Sequence, residues 1–473
     1  MNIFLNLAMN RLTTSILFGV VWLALTSCSR KQDPLPWRLD TYLQAAQQHE
    51  QFQGSVLVAT GDRIEYERQV GYADIGAKRL IDAETMFELA SVSKQFTATG
   101  VLILAERGKL SLSDSLRHFF PDLPYTGVTL HHLLTHTSGV PDYEELASEK
   151  WDQSRIALNT DMIRLLAEHK PAPLFKPGEE WRYSNTGFML LASIIEQVAG
   201  QSYGEFLKAN IFEPLGMART RIYNTRRSGE KIENYAYGYV SDSTGNRVLP
   251  DSLPAFREVY YLDGIQGDGV VNSTARDLLK WHLGLRDGKV VSAEWLTKAY
   301  TPVVLNSGKT ADYGYGWSLR TDSVRGKIVE HSGSWPGYGT YIRRLLDQDK
   351  VIIILSNTQK YIQEAVEALV FNEPVEMPAR REWVDPPSDL SPWVGQFVSL
   401  SESDTLVFFA KEANLYSKYE SLEYQWRYAS DGRFYLEAQP GLAFGINRST
   451  SKDEPYLVVR SVKKPLRKLR AVF

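Results

Sequence analysis

The sequence predicts an α+β fold: an antiparallel sheet flanked by helices with a helical subdomain, followed by a small C-terminal antiparallel β domain. Three observations carry this prediction. The runs Gly54–Ala59 and Ile64–Val70, split by Gly61-Asp62, have the form of a strand hairpin. Later, Ile328–Ser334, Gly337–Leu346 and Val351–Leu355 are spaced as an antiparallel meander that closes the sheet, and the last is apolar enough to be buried on both faces. Beyond Pro374, Pro378, Pro386, Pro387 and Pro392 the chain turns to short apolar and aromatic runs, Leu406–Phe409, Phe434–Leu436 and Tyr456–Val459, with turns at Asp431-Gly432 and Pro440-Gly441. These runs fit a small β-sandwich or a barrel.

With 473 residues, 43% of them hydrophobic, the chain has material for two globular units. A formal net charge of −3 gives no long-range attraction for nucleic acid, so no such partner is expected. Residues 1–28 read as a targeting segment, with Arg11 before an apolar run from Ile16 to Leu25 that is short for a membrane span. Leu25-Thr26-Ser27-Cys28 resembles the lipobox of bacterial lipoproteins, and Cys28, the only cysteine, cannot form an internal disulfide. The resemblance implies lipid attachment at Cys28 and anchoring in a bacterial cell envelope, facing the periplasm or the exterior; a short membrane anchor or an ordinary signal peptide are the alternatives. The expected organisation is then a linker over 29–36, a main domain over 37–372, a Pro-rich linker over 373–391 and the β domain over 392–473.

A first helix is expected from Trp37 to about Gln51, ahead of the hairpin. Ser91-Val92-Ser93-Lys94 then opens a helix-like stretch containing Phe96, Val101, Leu102, Leu104 and Ala105, with Gly108 as its stop. Spacing of three puts the serine and lysine side chains on one helical face, with the serine at the positive end of the helix dipole. That pair can supply a nucleophile and a proton acceptor. The same spacing recurs at Ser228, Ser449 and Ser461, and a helix cap at Ser91 or Ser93 is the bland account.

His132 and His136 lie four apart, as zinc ligands on a helix can, but there is no His-Glu-x-x-His pattern or evident third ligand, and no metal is expected. Pro177-Gly178 precedes Tyr183-Ser184-Asn185 and a helix whose Leu191, Ile194, Ile195 and Val198 share one face, with Gly200 at the C-cap position. Gly267-Asp268-Gly269 lacks the spacing of a phosphate cradle and reads as a tight turn or a close backbone approach. His331-Ser332-Gly333-Ser334 lies on the first meander strand, and a final helix is expected over 359–370.

In order, Ser91-x-x-Lys94, Tyr183-Ser184-Asn185 and His331-Ser332-Gly333 resemble the three elements of the serine β-lactamase and penicillin-binding protein superfamily. The likeness is to the branch holding class C β-lactamases, D-alanyl-D-alanine carboxypeptidases and related esterases, and it spans roughly residues 40 to 370. It implies a serine hydrolase without cofactor, in which Ser91 forms an acyl-enzyme that water hydrolyses. Lys94 and Tyr183 would share the proton work, either being the base. Asn185, His331, Ser332 and Gly333 would line the substrate, and the backbone N–H groups of Ser91 and Ser334 would form an oxyanion hole.

Implied substrates are a small peptide or a β-lactam, with small acyl esters as the alternative. A non-catalytic lipoprotein binding peptidoglycan peptides is the competing class. Histidine replaces lysine in the third element. With an ordinary pKa near 6.5 it predicts weak β-lactamase activity and carboxylate substrates favoured at lower pH.

Overall fold

The computed structural model describes residues 33–473 except 243, 400–404, 420–421, 437–441, 448–453, 460–461 and 469–473. Cys28 and the targeting segment lie outside the described residues, and so does the turn at Pro440-Gly441.

Helix α1 (Leu35–Gln48) leads into β1 (Gly54–Thr60) and β2 (Arg63–Val70), the predicted hairpin. Four more strands complete the sheet: β3 (Ser318–Asp322), β4 (Gly326–Trp335), β5 (Tyr338–Leu345) and β6 (Lys350–Ser356). The order is β3-β4-β5-β6-β1-β2, antiparallel throughout, so the first strand of the sheet in sequence, β1, pairs with the last, β6, from Gly54↔Ser356 to Thr60↔Lys350. Both strands are apolar on both faces because both faces are covered. Leu57, Ala59, Val351, Ile353 and Leu355 belong to the larger core. Val56, Val58, Ile352 and Ile354 pack against Leu39, Tyr42 and Leu43 of α1 and against Val366 and Leu369 of α5 (Gln363–Val370). Each such buried aliphatic contributes about 1.5–3 kcal/mol relative to exposure. The last helix starts four residues later than predicted because Gln359 takes a left-handed φ of 51°, which no helix accommodates.

On the larger core face lie α2 (Lys94–Glu106), α3 (Asn185–Ala199) and α4 (Ala275–Arg286). Every residue of α2 from Lys94 to Ala105 is buried, so this helix is the centre of the domain. It packs on α3, which ends where predicted, with Gly200 in the left-handed conformation at φ 67°. The helical region between α2 and α3 completes this side.

Beyond residue 394 eight antiparallel strands form a closed barrel. These are β7 (Gly395–Ser399), β8 (Thr405–Lys411), β9 (Asn414–Tyr419), β10 (Leu422–Tyr428), β11 (Phe434–Leu436), β12 (Ala443–Asn447), β13 (Glu454–Val459) and β14 (Val462–Lys468). Pairing of β7 with β14 closes it, which decides between sandwich and barrel. Its core is aromatic: Trp393, Phe397, Phe408, Trp426, Phe434 and Phe444.

Candidate active site

Ser91 does not sit in the α-helix itself. It lies in a 3-10 turn, Ala90–Ser93, that feeds directly into Lys94, the first residue of α2. The two side chains still meet, with Lys94 Nζ donating to Ser91 Oγ at 3.1 Å. The capping account fails on geometry, because Ser93 Oγ accepts instead from the backbone N–H of Val271.

Lys94 is fully buried, and its other two donors are also engaged. One reaches Asn185 Oδ1 at 2.8 Å and the other the carbonyl of Asp268 at 2.9 Å. The glycines around Asp268 are what let that carbonyl approach: Gly267 has φ 109°, and a Cβ there would lie 2.4 Å from the carbonyl oxygen of Phe188. The Gly-Asp-Gly stretch therefore serves close backbone approach.

Tyr183 enters from the loop before α3, and its hydroxyl interacts with both Ser91 and Lys94. Burial raises its pKa, and the Lys94 charge opposes this only in part, so the resting side chain is a phenol. His136 packs behind it with ring centroids 4.3 Å apart. Backbone N–H of Ser184 donates to His136 Nδ1 at 3.1 Å, and burial holds this imidazole neutral. His132 has a different task, its Nδ1 accepting from the Thr129 N–H at 3.1 Å to cap a short helix. Among the described residues no three His, Cys, Asp or Glu are grouped to hold a metal ion.

Strand β4 brings His331 to Gly333 against the nucleophile. Gly333 is required by contact: a Cβ there would lie 2.2 Å from the carbonyl oxygen of Leu89, 2.3 Å from Thr340 Oγ1 and 3.1 Å from the Ser91 nitrogen. The next residue, Ser334, borders the groove beside Ser91, as an oxyanion pair of backbone N–H groups requires. The expected titration of His331 near neutrality is corrected by its surroundings. A carbonyl can only accept, so the contact of Nδ1 with Ser332 O at 2.6 Å places the proton on Nδ1; Nε2 then accepts from the Tyr313 hydroxyl at 2.9 Å. Burial and the Lys94 charge lower the pKa to about 3, and both nitrogens are occupied. His331 is a neutral wall with no proton to offer a carboxylate.

Ser91, Tyr183, Asn185, His331, Ser332 and Ser334 line a groove of about 600 Å³ that also holds Trp181, Trp335 and, from the barrel strand β10, Tyr424. Asn185 Oδ1 accepts from Lys94, and its Nδ2 donates to Glu144 Oε1 at 2.9 Å. Asp142 accepts from the N–H groups of Glu144 and Asn185, and Tyr143 donates to Asp268 Oδ2 at 2.8 Å. Sequence reasoning missed Asp142, Tyr143, Glu144 and Tyr313, which belong to no motif. The remaining positions of the three elements meet at one place. The arrangement can deprotonate a serine hydroxyl beside a pair of backbone donors, which is the chemistry of acyl transfer.

Residues 39–373 match the model of the Beta-lactamase family. Penicillin-binding protein 4* of Bacillus subtilis is 44% identical over 349 residues, covering 72% of this chain and 77% of the relative. The D-amino acid amidase of Ochrobactrum anthropi, solved with D-phenylalanine, aligns with a TM-score of 0.57 at 25% identity, over 70% of this chain and 96% of its own. An octameric penicillin-binding protein homologue from Pyrococcus abyssi shares the fold over 91% of this chain and 99% of its own, with a TM-score of 0.62 at 24% identity.

Proposed function

The chain belongs to the beta-lactamase family of serine hydrolases, and on that premise we propose that it cleaves amide or peptide bonds through an acyl-enzyme on Ser91. One observation carries the reading: a buried lysine nitrogen 3.1 Å from the Ser91 hydroxyl, with a phenol in reach of both. The Lys94–Tyr183 pair, in contact with Ser91 Oγ, is placed to take the Ser91 proton while Oγ bonds to the carbonyl carbon. The Tyr183 phenol is the relay that passes a proton to the leaving nitrogen as the C–N bond breaks. Two backbone donors, at Ser91 and Ser334, stabilise the oxyanion by about 3 kcal/mol each. Water then repeats the sequence in reverse and frees the acid.

The neutral, fully hydrogen-bonded His331 supports substrates without a carboxylate beside the scissile bond, and so an amidase or peptidase over a β-lactamase or carboxypeptidase. The D-amino acid amidase among the structural neighbours agrees with this. Asn185 and Ser332 form walls, and Gly333 packs against the Ser91 backbone. Residues 37–372 form the hydrolase domain and 392–473 the barrel, held at the bacterial envelope by lipid on Cys28.

The test is intact-protein mass after incubation of the chain beginning at Cys28 with benzylpenicillin and with p-nitrophenyl acetate. A Ser91-dependent adduct or burst is expected and should vanish in Ser91→Ala. Reaction that survives the substitution would overturn the proposal.

A further inference from the structure

A second cleft, of about 630 Å³, lies where the hydrolase domain, the Pro-rich linker and the barrel meet, and Ser91 does not line it. Among the described residues of its walls five carry a positive charge, Arg247, Lys360, Arg380, Arg381 and Arg427, and Glu50 is the one carboxylate. On a chain whose formal net charge is −3, this is a local reversal of sign. A run of basic residues would read as a solvated face, but these come from separate stretches that only the fold assembles. Arg247 stands on a short hairpin that pairs Val240–Ser241 with Arg247–Val248, Arg380 and Arg381 on the linker, and Arg427 on β10.

Two of the guanidinium groups are oriented by aromatic rings. Arg381 lies 4.1 Å from the centroid of the Tyr435 ring and Arg427 4.4 Å from that of Trp383. Stacking fixes a guanidinium in place without itself neutralising it. Arg247 is half-buried; its Nη2 donates to the carbonyl of Glu50 at 2.9 Å, and no carboxylate forms an ion pair with it among the described residues. Burial lowers its pKa, and the Glu50 charge opposes this only in part. Arg380 is exposed, with no hydrogen bond or ion pair among the described residues. Withdrawing a guanidinium from water without a counter-ion is costly, and an anion entering the cleft offsets that cost.

The arginine forks match the oxygens of phosphate and carboxylate groups in pairs. A phosphate monoester has three free oxygens and up to two negative charges, enough to engage forks from more than one wall, where a carboxylate has two oxygens and one charge. Thr358 and Lys360 line this cleft while Gln359, between them, lines the catalytic groove, so the two openings lie on either side of one short segment.

We propose that this cleft is a binding site for a phosphate-bearing ligand, held by Arg247 and Arg380 together with the stacked Arg381 and Arg427. It anchors an anion beside the catalytic groove and takes no part in acyl transfer, so it stands whichever bond Ser91 attacks.

The test is isothermal titration calorimetry of the whole chain beginning at Cys28, at low salt, with inorganic pyrophosphate as the probe. One-to-one binding is expected, weakened about 10-fold by Arg247→Ala and again by Arg380→Ala. The Ser91-dependent burst with p-nitrophenyl acetate should be unchanged in both variants. Should Arg247→Ala fail to fold, the exposed Arg380 decides the matter. Glutarate, a dicarboxylate, should bind about 10-fold more weakly than pyrophosphate. Pyrophosphate-sensitive sedimentation with vesicles of phosphatidylcholine and phosphatidic acid would give the phosphate a lipid source; competition by glycerol 1-phosphate without sedimentation would give it a soluble one. No saturable heat with pyrophosphate, equal affinity for glutarate, or affinity that survives both substitutions overturns the proposal. Absence of any Ser91-dependent burst in the parent overturns the acyl-enzyme reading and leaves the cleft untouched.

Discussion

Replacing Glu88 by glutamine should make the protein more stable, by an amount that depends on pH. Burial pushes the Glu88 carboxyl up to about 8 from an ordinary 4.5. Folding therefore favours the protonated form of this group. The stability linked to it is complete below pH 4.5 and is lost as pH rises through 8. At 1.36 kcal/mol per pH unit, the loss is about 3 kcal/mol at pH 7 and approaches about 5 kcal/mol above pH 8. Glutamine has the same shape and no ionisation. Glu88→Gln should match the parent at pH 5 within about 1 kcal/mol and exceed it by about 3 kcal/mol at pH 7 and more at pH 8.5. Guanidinium unfolding of both proteins at the three pH values measures this directly. A stability gap that is the same at pH 5 and pH 8.5, or a variant weaker at pH 8.5, would refute the reasoning.

Three further outcomes follow from the site. Lys94→Met leaves Asn185 Oδ1 and the Asp268 carbonyl without their donor and removes the proton acceptor; the acylation rate should fall about a thousandfold in a burst assay. Because burial and Lys94 hold His331 near pKa 3, it stays neutral from pH 6 to pH 8. The ratio of kcat/KM for a carboxylate-bearing substrate to that for its amide should then be flat across that range, and a rise toward pH 6 would contradict the assigned tautomer. Gly333→Ala drives a methyl to 2.2 Å from a carbonyl oxygen. It should cost about 1–3 kcal/mol of unfolding free energy and suppress the burst, since β4 must move off Ser91.

What the sequence made legible is what is local along the chain. The hairpin at Gly61-Asp62, the C-cap at Gly200 and the three-residue spacing of Ser91 and Lys94 each need only a few neighbouring residues to be read. The three elements of the site were found because each is a short string. Glu88 and Glu144 are single acids in unremarked surroundings, and only folding brings them beside Ser91. His331 was visible as a residue but not as a charge state, which depends on Tyr313 and on burial. Sandwich or barrel could not be separated because composition carries strand identity and not the pairing of β7 with β14.

The three contacts of Lys94 reach residues 3, 91 and 174 positions away. Only the first exists in an unfolded or partly synthesised chain. The other two require closure of long loops, among the slowest steps in forming a fold. Until they close, Ser91 is an ordinary alcohol, and the oxyanion strand is further off still, near residue 334. A nascent or partly folded chain is for that reason chemically silent. During refolding, the return of the p-nitrophenol burst should lag behind the return of helical signal, reporting the last long-range contacts to form.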